Sequence, residues 1–289
     1  MNRGWRLAKE SWNVIERDRS LLALPLLSAA ATVLAGALIF VPGVYLSFHE
    51  HSHVPLLVAA GVAAYPLTFL STYFSVAFIV VARARLTGGQ ATVRTGIEAA
   101  NGRLGTIAAW SLVLTLFGVV LQTLQRLPFV DQAARIVGIL VALVLQTAWS
   151  LATYFVVPAL AVDDVGPREA MRLSVRTFRM RWGETVTGGV VIGASFGLLV
   201  VPIAFVAMIG VVVFRDSIGA GSVIIAIAVG LFLIWSAAEL AVSRLFSLAL
   251  YEYANGRRFD VYDTSDLDDA FHPRQRRGPV RCLREWWDS

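Results

Sequence analysis

Six apolar stretches, each long enough to cross a bilayer, run through this chain, and its basic residues sit almost wholly in every other connection between them. A spanning helix needs roughly 20 apolar residues at about 1.5 Å of rise each. The stretches at 21–46, 55–81, 107–124, 136–162, 187–214 and 222–248 meet that length. They predict an all-α, polytopic membrane domain over 1–272, followed by a short basic tail at 273–289 that contains tryptophan. The connections are too short for a separate soluble catalytic domain. A composition of 57% apolar and 16% charged residues, with a mean hydropathy of +0.67, lies outside the range of ordinary soluble domains. The first stretch exceeds the roughly 7–15 residues of a signal-peptide core and reads as an uncleaved span.

Charge gives the orientation. Basic residues of short loops collect on the cytoplasmic side. Here Arg3, Arg6, Lys9, Arg17 and Arg19 precede span 1, and the next connection has none. Arg83, Arg85, Arg94 and Arg103 follow span 2, then only Arg126 and Arg135. Arg168, Arg172, Arg176, Arg179 and Arg181 follow span 4, Arg215 alone follows span 5, and seven arginines lie in the tail. Twenty-one charges therefore fall on one set of connections and three on the other, with Arg244 at the end of span 6. Both termini are expected to be cytoplasmic. Only Lys9 of the 25 basic residues is lysine, a bias that fits a GC-rich bacterial genome and hence a bacterial inner membrane. The single cysteine, Cys282, excludes an intrachain disulfide and a cysteine-based metal site.

The cytoplasmic connections predict helices of their own. Pro167 and Glu169 supply helix-start chemistry. Beyond them Met171, Val175, Phe178 and Trp182 form an apolar stripe beside Arg168, Arg172, Arg176 and Arg179. Such a helix is suited to lie in the interface with its guanidinium groups on lipid phosphates. Trp5, Ala8, Trp12 and Ile15 share a face before span 1, and a shorter segment, 92–103, precedes span 3. These predict three repeats of an interfacial helix plus a two-span hairpin. The plainer reading is that any multispan protein gathers arginines in its cytoplasmic loops.

Three blocks carry a family resemblance: Trp5-Arg-Leu-Ala-Lys-Glu-Ser-Trp12 leading to Asp18-Arg-Ser-Leu-Leu-Ala-Leu-Pro25, Trp149-Ser-Leu-Ala-Thr-Tyr-Phe-Val-Val-Pro158, and Gly166-Pro-x-Glu-Ala170 with Trp182-Gly-Glu184. Over about residues 3–272 the chain resembles a family of uncharacterised six-span bacterial membrane proteins. More distantly it is similar to the membrane domain attached to some glycerophosphodiester phosphodiesterases, whose catalytic domain has no counterpart here. The resemblance implies the six-span fold and no substrate, cofactor or catalytic residue. The tail beyond Pro273 departs from the pattern.

Among candidate functional residues, Glu239 stands out, because a charge deep in the bilayer costs about 2.5–3.5 kcal/mol and calls for a partner. Arg244 at i+5 is rotated well round the helix, whereas Ser236 and Ser243 share its face. Glu239 reads either as a proton-coupled or substrate-binding carboxylate or as a buried polar clamp. Gly138, Ala142, Gln146, Ser150 and Thr153 form a small or polar stripe on span 4, either a polar path or a packing seam. With Glu239, Gln146 and Ser150 make the candidate intramembrane polar site. Gly189, Gly193 and Gly197 form a doubled small-xxx-small pattern, a packing seam within the chain or between two copies. Pro66, Pro158 and Pro202 predict kinks. His49, His51 and His53 alternate and are weak candidates for a zinc or copper site, although a polar external turn explains them better. Gly88-Gly89 reads as a turn. The acidic stretch 263–269 and the arginines around Trp286 and Trp287 favour an anionic membrane surface over nucleic acid.

The function expected is a non-enzymatic membrane component that organises lipid or partner proteins, without a cofactor. Its expected partners are anionic lipids and a second copy or another membrane protein. The alternative is a small permease or lipid transporter using Glu239 and the polar face of span 4.

Overall fold

The computed structural model describes residues 22–125, 132–180 and 182–256; at 132–136, 180, 182–195, 199, 216 and 218 it describes the backbone alone. The helix expected around Trp5, Ala8, Trp12 and Ile15, the acidic stretch 263–269 and the tail 273–289 lie outside the described residues. Among the described residues the helices are, in order, α1 (Ala23–His49), α2 (Val54–Leu86), α3 (Val93–Asn101), α4 (Leu104–Gln125), α5 (Gln132–Thr153), α6 (Val156–Val162), α7 (Pro167–Met180), α8 (Trp182–Asp216) and α9 (Ile218–Ala254). No strand occurs among them.

Six helical segments are long and apolar enough to cross a membrane: Ala23–His49, Val54–Leu86, Leu104–Gln125, Val137–Val162, Phe196–Arg215 and Gly219–Ala254. Each of the six stretches marked by hydropathy holds one, as a multi-pass membrane protein requires. Three helices outlast their apolar runs. α2, α8 and α9 have 33, 35 and 37 residues, about 50–55 Å of helix against a hydrocarbon core of about 30 Å. Their surplus turns carry the polar side chains discussed below.

Local chemistry places the shorter elements. At α3 the backbone of Thr95 donates to Thr92 Oγ1 at 3.3 Å, and Thr92 N–H donates back to Thr95 Oγ1 at 3.4 Å, a reciprocal cap for two orphan amides. The turn before it runs through Gly88 at φ +79, as the Gly88-Gly89 pair predicts. Helix α3 then lies so close to α2 that a Cβ at Gly96 would sit 2.7 Å from the Ala77 carbonyl oxygen.

The buried core gathers at one end of the bundle. Residues 76–79 of α2, Ile107 and Trp110 of α4, residues 155–161 around α6, Ala170 of α7 and Leu245, Leu248 and Tyr251 of α9 are all buried there. Away from that end the spans expose Leu34, Leu38, Phe48, Val62, Val144 and Leu198. That much apolar surface is unsustainable in water and is what lipid would cover.

Span 4 is not one helix. α5 stops at Thr153 and α6 restarts at Val156. Pro158 explains the site of the break: it has no N–H for the Tyr154 carbonyl, and its ring would clash with that carbonyl in a continuous helix. It falls instead in the first turn of α6, where an amide is surplus. The freed groups are met from another element. Ser174 of α7 donates from Oγ to the Ala152 carbonyl at 2.6 Å and accepts from Phe155 N–H at 3.0 Å. Pro66 and Pro202, by contrast, lie within unbroken helices.

Candidate functional site

Helix α7 has two faces of opposite character. Ala170, Ser174 and Thr177 are buried, Ser174 completely, with Phe178 beside them. Small side chains let α7 approach α5 and α6 closely enough for Ser174 to enter the break. On the opposite side Arg168, Arg172, Arg176 and Arg179 are exposed and Met171 and Val175 half-buried. These six residues line an open groove of about 580 Å³. Arg168, Arg172, Arg176 and Arg179 thus share the exposed side of the helix with the half-buried Met171 and Val175. Phe178 turns inward to the core instead of continuing the apolar stripe, because the buried face is centred on Ser174. The side chain of Trp182 lies outside the described residues.

Among the described residues, Arg83, Arg85, Arg94 and Arg103 at this end are engaged within the chain. Arg83 Nε pairs with Glu252 Oε1 at 2.8 Å. Arg85 Nε donates to the Ala91 carbonyl at 2.9 Å. Arg103 reaches Asp164 Oδ1 at 2.5 Å and the Ala161 carbonyl at 3.1 Å. Tyr251 donates to Asp163, and Arg94 pairs with Glu98 one turn along α3 at 2.8 Å. This interlock ties α2, α4, α6 and α9 together. Charge counting alone misses it, although the acids Asp163, Asp164 and Glu252 at the ends of apolar runs were its visible signal. On α7 only Arg172 has a carboxylate, Glu169 at 3.3 Å. Arg168, Arg176 and Arg179 have none within ion-pair distance among the described residues.

A second polar group lies deeper. Glu239 is about 20 Å along α9 from Glu252, given 1.5 Å per residue. Arg244 of α9 and Tyr154 in the break of span 4 lie within electrostatic range of Glu239, although no ion pair or hydrogen bond joins it to either among the described residues. Ser236 does not serve Glu239, since its Oγ donates to the Leu233 carbonyl. Arg244 Nε is inaccessible and has no hydrogen-bond acceptor among the described residues.

Other expected sites are not assembled. Gln146 and Ser150 are exposed, because α5 packs against α4 and α7 and turns that stripe away from Glu239; only Ala142 of the stripe is fully buried. At Gly197 a Cβ would meet nothing within 4 Å, so no seam within the chain forms there, while what Gly189 and Gly193 face lies outside the described residues. The tight approaches of α8 and α9 fall nearer their turn, where a Cβ at Gly221 would lie 2.3 Å from the Phe214 Cα. His49, His51 and His53 do not converge. His49 stacks on Tyr45 at 6.2 Å, and no group of three or more His, Cys, Asp or Glu among the described residues is arranged to hold a metal ion.

A family model matches residues 59–260, from within α2 to just past α9. The chain belongs to DUF6159, a family of unknown function. The match takes in α7, the break in span 4 and Glu239, so all of these fall inside the region that defines DUF6159. No curated protein and no solved structure matches the chain.

Proposed function

We propose that this DUF6159 member is a non-enzymatic component of a bacterial inner membrane, with both termini in the cytoplasm, that binds anionic lipid of the inner leaflet through α7. One observation carries the reading. Among the described residues, Arg83, Arg85 and Arg103 are engaged by the protein's own acids and carbonyls, whereas on α7 Arg168, Arg176 and Arg179 have no carboxylate partner and lie beside a groove while the back of the helix is locked into the bundle. Basic side chains near an anionic leaflet are worth about 1 kcal/mol each. Partner proteins or a second copy would then assemble on a surface already fixed in register with the lipid. The test is thermal unfolding of the detergent-solubilised full chain with added phosphatidylglycerol or phosphatidylcholine. Ligand that binds the folded state stabilises it, so phosphatidylglycerol should raise the midpoint more. Replacing Arg168, Arg172, Arg176 and Arg179 together by Gln should remove the difference. Equal effects of the two lipids on the unaltered chain would sink the proposal.

The grouping of Glu239, Arg244 and Tyr154 at a broken span favours a second reading, a small permease or lipid transporter. Broken helices supply polar groups at midplane sites in transporters, and intramembrane charges mark transport paths. Gln146 and Ser150 take no part in it. Uptake into proteoliposomes that is the same for Glu239→Gln and the unaltered chain would end that reading.

A further inference from the structure

We infer that the α7 groove takes one lipid headgroup carrying two phosphates, a diphosphatidylglycerol-type lipid, rather than any single anionic lipid. The inference rests on the lipid-binding reading above and adds the ligand class.

The arginine spacing points there. Arg168, Arg172, Arg176 and Arg179 follow one another at steps of four, four and three residues. With 3.6 residues per turn they fall within about 80° of arc, along about 16 Å of helix. The evenly spaced row holds two neighbouring pairs end to end, Arg168 with Arg172 and Arg176 with Arg179, each about one turn apart. A guanidinium fork binds phosphate oxygens bidentately, so two forks a turn apart can close on one phosphate. Two such pairs present two phosphate positions on one rigid surface, since α7 is pinned from behind by the bonds of Ser174 to Ala152 and Phe155.

Charge and shape agree. Glu169 offsets part of Arg172, but both side chains are largely exposed, at 49% and 74%, so solvent weakens that pair. The remaining three cations have no carboxylate among the described residues. A groove of about 580 Å³ lies in the range of small-molecule sites, and Met171 and Val175 offer apolar contact for the glycerol and first acyl carbons. A lipid with one phosphate fills one arginine pair and leaves the other open. When two phosphates share a short linker, the second meets its pair at high effective concentration.

The experiment is native mass spectrometry of the full chain in detergent, titrated with diphosphatidylglycerol, phosphatidylglycerol or phosphatidylcholine at matched phosphate. Diphosphatidylglycerol should bind at least about tenfold more tightly than phosphatidylglycerol. Arg168→Gln/Arg172→Gln and Arg176→Gln/Arg179→Gln should each reduce it to the phosphatidylglycerol level. The replaced side chains are exposed, and an unchanged lipid-free melting midpoint confirms that each variant is folded. As a second check, Arg168→Lys/Arg172→Lys keeps the charge and loses the forks; it should retain phosphatidylglycerol binding and lose most of the preference. Equal binding of the two anionic lipids, both above phosphatidylcholine, would overturn the two-phosphate inference and leave lipid binding standing. No anionic preference at all would overturn both. A preference that survives both pair variants, or displacement of lipid by inorganic pyrophosphate, would equally overturn the assignment of this groove to a lipid headgroup.

Discussion

Ser174 closes the gap in span 4 by bonding to Phe155: its hydroxyl accepts the Phe155 N–H at 3.0 Å while donating to the Ala152 carbonyl at 2.6 Å. Both backbone groups are orphaned by the break, and Ser174 is fully buried. Ser174→Ala leaves a donor and an acceptor unpaired away from water, at about 1–3 kcal/mol. The variant should unfold in detergent at lower temperature or denaturant than the unaltered chain, and an unchanged midpoint would show that the break needs no partner.

Pro158 makes the break, so its removal should relieve the loss of Ser174. With alanine at 158 the amide can reach the Tyr154 carbonyl, and Phe155 N–H and the Ala152 carbonyl can find helical partners. Pro158→Ala in the Ser174→Ala background should recover at least half of the lost stability, a coupling that a double-mutant cycle reads directly. Strict additivity would argue against this account.

The six spans were legible because hydropathy reports one-dimensional length, and length is what a bilayer demands. The arginine row of α7 was legible for a similar reason, since 3.6-residue spacing fixes a face whatever surrounds it. What could not be read was which arginines meet acids. Arg83 with Glu252 and Arg103 with Asp164 are separated by 169 and 61 positions, and no local pattern links them. The Gln146 stripe failed for the converse reason: a face was correctly drawn, but the neighbour it meets depends on how α5 packs. Gly197 belongs with it within the chain, being part of a packing pattern at a place where no other helix of the same chain comes within 4 Å.

Glycine substitutions should separate real packing contacts from pattern alone. At Gly96 a Cβ would press on the Ala77 carbonyl and the Val81 side chain, each at 2.7 Å, whereas at Gly197 it meets open space. Overpacking typically costs about 1–3 kcal/mol. Gly96→Ala should lower the denaturation midpoint clearly and Gly197→Ala should not; the reverse order would contradict the packing of α3 on α2.

Arg83 and Glu252 are unequal partners. Glu252 is 2% exposed and Arg83 36%, so Arg83→Gln takes a cation away from a buried carboxylate whereas Glu252→Gln leaves a cation that can reach solvent. Removing one partner of a fully buried pair costs about 3–5 kcal/mol. With Arg83 partly open, about 2 kcal/mol is expected for Arg83→Gln and less for Glu252→Gln. Chemical denaturation of the two variants tests the asymmetry, and equal losses would place the weight of the interaction elsewhere.

The membrane orientation can be tested along α2 alone. Ser52 lies in the connection before this helix and Gln90 just after it, separated by 33 helical residues, or about 50 Å. That length exceeds the hydrocarbon core, so the two positions must face opposite compartments if α2 spans the bilayer. Cys282 is the only native thiol, and Cys282→Ser gives a clean background. In intact cells an impermeant maleimide should label Ser52→Cys, and Gln90→Cys should label only after the membrane is opened. Gln90 follows the arginine-bearing end of α2, where Arg83 and Arg85 lie, so the same result fixes the interlock and α7 on the cytoplasmic side. Labelling of both positions from outside would overturn the spanning assignment of α2, and labelling of Gln90→Cys alone would invert the topology and remove α7 from the inner leaflet.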